Sequence, residues 1–281
     1  VAAVTAMPES PGLEMHRGGG GSPLVLLHGI NMTWKIWRPV VPALEEQHTV
    51  LAPTLAGHLG GPGLVAGAHG IGPVADAVEE MLDRQGIDRA HLVGNSLGGW
   101  VACELAQRGR AMSVVAFSPA GAWDTRAAQQ RIVRLMRLTR RSAQWSSTRN
   151  LMSRPGLRRA ALGLALERGD LIPNDVALQM VEETRACLLL EGLLRWIDQH
   201  GSIDRFDIDS ACPVRLVWPV ADRTIPYEPY GRVYRDLIPH AELVPLRGVG
   251  HVPMYDDPRL VSRTILEFTA RVPAASAGTT T

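Results

Sequence analysis

Short apolar runs alternate with longer amphipathic ones over the first 120 residues of the chain. "PLVLLHG" (23–29) is a compact apolar run closed by glycine, and "HTVLAPTLAGH" (48–58), "AHLVG" (90–94) and "MSVVAFSP" (112–119) repeat the pattern. A strand covered on both faces needs no polar alternation, so each run predicts a buried strand of a parallel sheet. Between them, residues 71–85 carry Val74, Ala77, Val78, Met81 and Leu82 at helical spacing, with Gly86 as a stop; residues 97–108 predict a second helix. Strand–helix alternation implies right-handed crossovers and an α/β fold with a doubly wound, mostly parallel sheet.

The rhythm stops near Gly121. From Trp123 to about Gln199 the pattern is helical throughout, punctuated at "SRPG", "RGD" and "IPND". Strands resume at "CPVRLVWPV" and "AELVPLRG", with a helix between them and another over 257–271. The expected organisation is a core of 23–121 and 208–271 interrupted by an all-helical insertion at 122–207. A Pro- and Gly-rich lead-in at 1–22, with a short strand over 13–16, precedes the core. A small, polar, disordered tail at 272–281 follows it.

Composition narrows the class only a little. With 46% hydrophobic and 20% charged residues in 281, the chain can bury a sizeable core. A net charge of +1 gives no global pull toward nucleic acid or an anionic membrane. Cys103, Cys187 and Cys212 are far apart and set in apolar surroundings, which predicts buried, reduced thiols and a cytoplasmic protein. The first twenty residues lack the basic start and continuous apolar stretch of a signal peptide, and no apolar run approaches a membrane span. The cysteines show no metal spacing, and the expected partner is a small-molecule substrate.

The chemistry begins at "VGNSLGGW" (93–100). Gly94-Asn95-Ser96-Leu97-Gly98 places a serine at a strand-to-helix turn too tight for side chains two residues either side of it. Such a serine is either a helix cap or a nucleophile. A nucleophile needs a base, and the base needs an orienting acid. "GVGHVPMYDDP" places His251 in a loop after the last strand, and "WPVADRTIP" places Asp222 just past the preceding one. Both lie at carboxyl ends of parallel strands, on the rim that carries Ser96, where open α/β sheets keep their sites. Asp124 is the second choice for the acid. His48, His91 and His240 sit at strand edges or turns and read as solvent-facing or capping; His58, His69 and His200 also compete poorly. In "LLHGINMTW" the backbone N–H of Ile30 can converge with that of Leu97 as an oxyanion hole, with His28 fixing the loop.

This set of "HG", "GNSLGG", "PVADRTIP" and "GVGHVPMYDDP" resembles the α/β-hydrolase superfamily, in its esterase-like branch with a helical cap, over about residues 20 to 270. The resemblance implies the triad Ser96–Asp222–His251, a cap over the pocket and no cofactor. Two features depart from it. Thr54 and "GHLGGPG" stand where members often carry Asp and a Gly-x-Gly-x-Ser loop, and the opening strands of the fold are hard to find in residues 1–22.

The insertion is strongly basic, with eleven arginines and one acid, Glu167, from Arg126 to Arg168. A cap helix with an apolar underside and a solvated basic face accounts for this; the sharper reading sets some arginines against an anionic substrate. Asn31, Trp34, Trp123 and Met254 are the expected pocket residues, with Trp145 and Trp196 as further candidates and Trp37 and Trp218 in the core. The leading function is hydrolysis of a carboxylic ester, thioester or lactone of a small hydrophobic substrate. The alternatives are a carbon–carbon bond hydrolase of ring-cleavage products and an acyltransferase, cofactor-free lyase or perhydrolase with the same triad. Against the first, "HGINMTW" lacks Gly-Pro-Gly and Val252 follows His251 where a Trp is usual.

Overall fold

In the computed structural model, which describes residues 14–64 and 69–272, the apolar runs form a seven-stranded sheet of order β1-β3-β2-β4-β5-β6-β7. The strands are β1 (Met15–Gly19), β2 (Ser22–Leu27), β3 (His48–Pro53), β4 (Ala90–Asn95), β5 (Ala111–Phe117), β6 (Val214–Pro219) and β7 (Glu242–Leu246). Strands β2 to β7 run parallel, and β1 pairs antiparallel with β3 at the edge. The helices are α1 (Val41–Glu45), α2 (Gly72–Arg84), α3 (Leu97–Gln107), α4 (Arg126–Gln144), α5 (Thr148–Met152), α6 (Pro155–Leu162), α7 (Asn174–Ala186), α8 (Leu189–His200), α9 (Arg232–Leu237), α10 (Pro253–Asp256) and α11 (Pro258–Thr269).

Alternate strand residues feed two cores. Val25, Leu27, Leu92, Val114 and Leu216 pack with α2 and α3, while Leu24, Leu26, Val93, Val115 and Val217 pack with α1 and α11. Covering both faces explains the unbroken apolar runs, and each fully buried Leu or Val there contributes about 1.5–3 kcal/mol.

The short strand expected over 13–16 of the lead-in is displaced to β1, Met15–Gly19, and the core begins one residue earlier than expected, β2 starting at Ser22. An edge strand is held by backbone pairing on one side, here from Met15–Pro53 to Gly19–Thr49, so its side chains carry little pattern. Gly19 ends β1 at φ +76, and a Cβ there would stand 2.2 Å from the carbonyl oxygen of His48. Residues 1–13 and, past Val272, the expected disordered tail lie outside the described residues.

Between β5 and β6 every regular element is helical. The Thr125 hydroxyl caps α4 by accepting from Ala128 N, and Ala128, Ile132, Val133 and Ala143 form the buried side of that helix. Gly201 at φ +81 ends α8.

At the amino ends of the strands the structure departs from expectation again. His240 is exposed, but His48 and His91 are buried rather than solvent-facing. His48 bonds Ser22 Oγ through Nδ1 (2.9 Å) and Thr269 Oγ1 through Nε2 (2.9 Å), and His91 Nδ1 bonds Ser113 Oγ (2.8 Å). The two rings meet edge to face at 5.4 Å. Burial, helped by His48, lowers His91 from 6.5 to about 4; burial lowers His48 as well. Because the folded-state value is the lower one, the unfolded chain holds more protons between pH 6.5 and about 4. The stability present above pH 6.5 is therefore lost as pH falls through this window. Thermal melts followed by circular dichroism are expected to show that loss, with a shallower pH dependence in His91→Gln.

Candidate active site

Ser96 occupies the single step between β4 and α3, at φ +56 and ψ −114. A non-glycine residue in such a conformation costs about 1–3 kcal/mol, so neighbours must hold it. Ser96 N donates to Phe117 O (2.9 Å), and Ser96 O accepts from Trp100 N (3.1 Å) and Ala120 N (3.0 Å). The flanking glycines are dictated by backbone contact: a Cβ on Gly94 would stand 2.1 Å from Gly98 O, and one on Gly98 would stand 2.0 Å from Leu27 O. The Ser96 side chain makes no capping bond to α3, which removes the helix-cap alternative. Leu97 is the first residue of that helix, where the N–H has no intrahelical acceptor and the dipole favours negative charge.

The loops after β6 and β7 bring Asp222 and His251 together. His251 Nδ1 lies 2.7 Å from Asp222 Oδ2, and Asp222 Oδ1 accepts from Thr224 N (2.9 Å) and Ile225 N (2.7 Å). Both side chains are buried. Three donors orient the carboxylate, and its bond to Nδ1 leaves Nε2 as the free ring nitrogen of His251. Asp124, the other acid considered, is exposed.

The loop after β2 is pinned by His28. Its Nε2 accepts from Leu55 N (2.9 Å), so Nδ1 carries the proton and donates to Gly29 O (2.8 Å). Burial, then the neighbouring His58, pulls His28 well below the usual histidine range against the opposing Gly29 bond. Burial likewise lowers His58 to about 4. Both are neutral, structural imidazoles, their rings 4.8 Å apart. Ile30 and Asn31 follow, Asn31 at φ +64.

Ile30, Asn31, Ser96, Leu97 and His251 all line one cavity of about 540 Å³ between the strand ends and the helical segment α4–α8. Trp123, Trp145, Leu193 and Ile197 supply part of its apolar wall. Trp34 and Met254 are not among its lining: Trp34 stacks on His16 (5.2 Å) under Arg38, and Met254 is buried in the core beneath. Trp196 packs on Trp100 and His200, and Trp37 and Trp218 are core residues. The arginines of the segment do not line the cavity either, against the reading that set some of them on an anionic substrate. Arg131 donates to Thr224 O (2.9 Å) and Arg223 O (2.6 Å), Arg140 to Cys187 O (2.6 Å), and the buried Arg158 to Met152 O (2.8 Å) and Gly169 O (3.1 Å). No Asp, Glu, Lys or Arg occurs among the described lining residues. Asn31 Oδ1 and Trp123 Nε1 are buried there without partners, so a ligand group that pairs them gains from relieving an unmet hydrogen bond.

A model of the alpha/beta hydrolase family matches residues 24–264. The chain belongs to the α/β hydrolase family. Over 202 residues, 69% of this chain and 92% of the relative, it is 30% identical to an epoxide hydrolase, EphH, of Mycobacterium tuberculosis. A thermophilic esterase from Thermogutta terrifontis superposes with a TM-score of 0.69 at 21% identity, over 92% of this chain and 93% of that one. The 2-hydroxy-6-oxo-6-phenylhexa-2,4-dienoate hydrolase of Rhodococcus superposes with a TM-score of 0.69 at 20% identity, over 91% and 94%. Likeness at these identities establishes the shared fold.

Two residues of this α/β hydrolase's site escape sequence reasoning. Asn95 Nδ2 donates to His251 O (2.9 Å) and Phe117 O (3.3 Å), tying the serine turn to the histidine loop. Asp256 accepts from Gly250 N (2.8 Å), Glu167 N (3.0 Å) and Arg168 N (2.8 Å), tying that loop to the helical segment. The only sequence signal is a short polar side chain beside each motif, and its partners lie up to 156 positions away. Asn95→Ala is expected to lower kcat about 10²-fold with little change in KM, because a shift of an ångström in a reacting group costs that much. Steady-state kinetics checks the split.

Proposed function

We propose that this α/β hydrolase is a serine hydrolase cleaving a carboxylic ester, thioester or lactone of a small hydrophobic substrate. The observation that supports it most is one apolar cavity lined by both Ser96, at its strained turn, and His251, bonded to a buried Asp222. Ser96 Oγ attacks the carbonyl carbon while His251 Nε2 takes its proton. Asp222 holds the imidazole in the required tautomer and balances the imidazolium charge. The N–H groups of Ile30 and Leu97 receive the oxyanion, each worth about 3–4 kcal/mol in the transition state. His251 returns the proton to the leaving group, and water then repeats the sequence on the acyl-enzyme. Residues 122–207 serve as the cap over the cavity. The charge-free wall suits a neutral substrate with a few polar atoms for Asn31 and Trp123 to meet.

The 30% identical epoxide hydrolase makes an epoxide the competing substrate. Chemistry disfavours it here. A serine that opened an epoxide would end as an alkyl ether, which has no carbonyl for water to attack, whereas the acyl-serine of an ester is hydrolysed by the same machinery. The deciding experiment is a fluorophosphonate probe with mass mapping of the labelled peptide, followed by a panel of acyl esters, carbon–carbon ring-cleavage products and epoxides. Labelling of Ser96 with ester turnover is expected. No labelling of the folded chain, or diol formation in place of ester cleavage, overturns the reading.

A further inference from the structure

The cavity opens through the outer surface of the helical segment, and its mouth is apolar. Leu138, Trp145, Leu151 and Leu164 line the cavity, yet they are 58%, 59%, 38% and 47% exposed. Side chains that belong at once to a pocket wall and to the solvent surface define the mouth, and a cluster of this kind marks a surface that something covers.

Charge says what. From Arg131 to Leu166 the chain carries nine arginines and no acid, a local excess hidden by the overall +1. Positions 134, 138, 141 and 145 follow the three- and four-residue spacing that puts Arg134, Leu138, Arg141 and Trp145 on one stripe at α4. Arg154, at the start of α6, stands between Leu151 and the exposed Leu157 in the chain. Arg137, Arg149 and Arg159 reach Asp198, Glu182 and Asp170. Among the described residues the exposed Arg134, Arg141 and Arg154 have no acidic partner. A merely solvated face would show arginines alone, with the apolar residues beneath. Here large apolar side chains stand in solvent between the cations. A two-fold contact with a second copy would set like charges against each other. Apolar side chains with interleaved cations suit a surface that offers anions at its boundary and hydrocarbon below it.

We propose that this rim docks on an anionic lipid surface. Leu138 and Trp145 enter the acyl boundary, Arg134, Arg141 and Arg154 meet headgroup phosphates, and the acyl chain of a lipid ester passes from the surface through the mouth to Ser96. The last step rests on the serine-hydrolase reading; the docking does not.

The test uses the full chain carrying Ser96→Ala, which cannot consume the lipid. Its flotation with vesicles of phosphatidylcholine alone, or of phosphatidylcholine with phosphatidylglycerol, is measured at low and high salt. Binding is expected on the mixed vesicles only and is expected to weaken with salt. Arg134→Gln with Arg141→Gln should weaken it about thirtyfold, since one arginine near such a surface counts for about fivefold. Leu138→Ser with Trp145→Ser should abolish it. In the active chain, the arginine pair should lower the ratio of vesicle-borne to dissolved short-chain ester turnover. Equal binding to both vesicle types, or binding indifferent to both double variants, overturns the proposal. So does a concentration-dependent dimer that Leu138→Ser with Trp145→Ser dissolves, which would assign the rim to a second copy. Vesicle binding without turnover of any dissolved ester would instead overturn the hydrolase reading and, with it, the acyl-chain step alone.

Discussion

Ser96→Ala is expected to reduce ester turnover by roughly 10⁶-fold while leaving the fold intact. The hydroxyl at the turn is the proposed nucleophile; without it, His251 and the oxyanion donors are left to direct water at the carbonyl. Alanine keeps the Cβ, so the backbone strain at φ +56 stays and stability should hardly change. Glycine separates the two effects. Ser96→Gly should be equally inactive but more stable by about 0.5–1 kcal/mol, the relieved left-handed strain being partly offset by the freer unfolded chain. That corresponds to a rise of about 1–2 °C in Tm. Ester kinetics and calorimetry on the two variants check both halves. An alanine variant within tenfold of the parent would remove Ser96 from the mechanism. A glycine variant no more stable than the alanine one would show that the turn stores no strain at Ser96.

Asp222→Asn is expected to lower kcat about 10⁴-fold, and Asp124→Asn to leave it unchanged. The geometry supplies the reason. Asp222 Oδ1 is held by Thr224 N and Ile225 N, so an asparagine would keep its oxygen there and turn its NH₂ toward His251 Nδ1. A donor at that point moves the imidazole proton to Nε2, the nitrogen that must accept from Ser96. The base is then blocked although nothing has moved. Asp124 is exposed and has no comparable contact. The test is kcat for both variants on one ester; similar losses would mean that a structural defect, and not the tautomer, is being measured.

Much of this architecture is legible in the amino-acid order because it is local. The apolar runs of β2 through β7 and the periodicity of α2 and α3 mark their elements within a residue or two, except that the run at 48–58 overshoots the end of β3 at Pro53 by five residues. The exception is β1, expected as a short strand over 13–16 and found at Met15–Gly19, since its pairing with β3 uses backbone groups that every residue possesses. His48 and His91 look like edge residues in the chain, but α11 closes over that end through Thr269, far away in sequence, and buries them. The arginines show the same limit. Most of them lie on the outer faces of α4 to α6, Arg158 being buried, but which of them find acids depends on α7 and α8, which supply Glu182 and Asp198.

The sheet, the helical segment and the order of the chemistry-bearing loops are already present in the amino-acid order. Periodicity is a property of neighbours, and a parallel sheet delivers every strand-to-helix loop to one rim. Packing is what sets Asn95 and Asp256 to hold the histidine loop, leaves Trp34 and Met254 outside the cavity, and stands Leu138 and Trp145 at its mouth. Those outcomes depend on which surfaces meet when segments well separated in the chain pack together, and no local pattern carries that information.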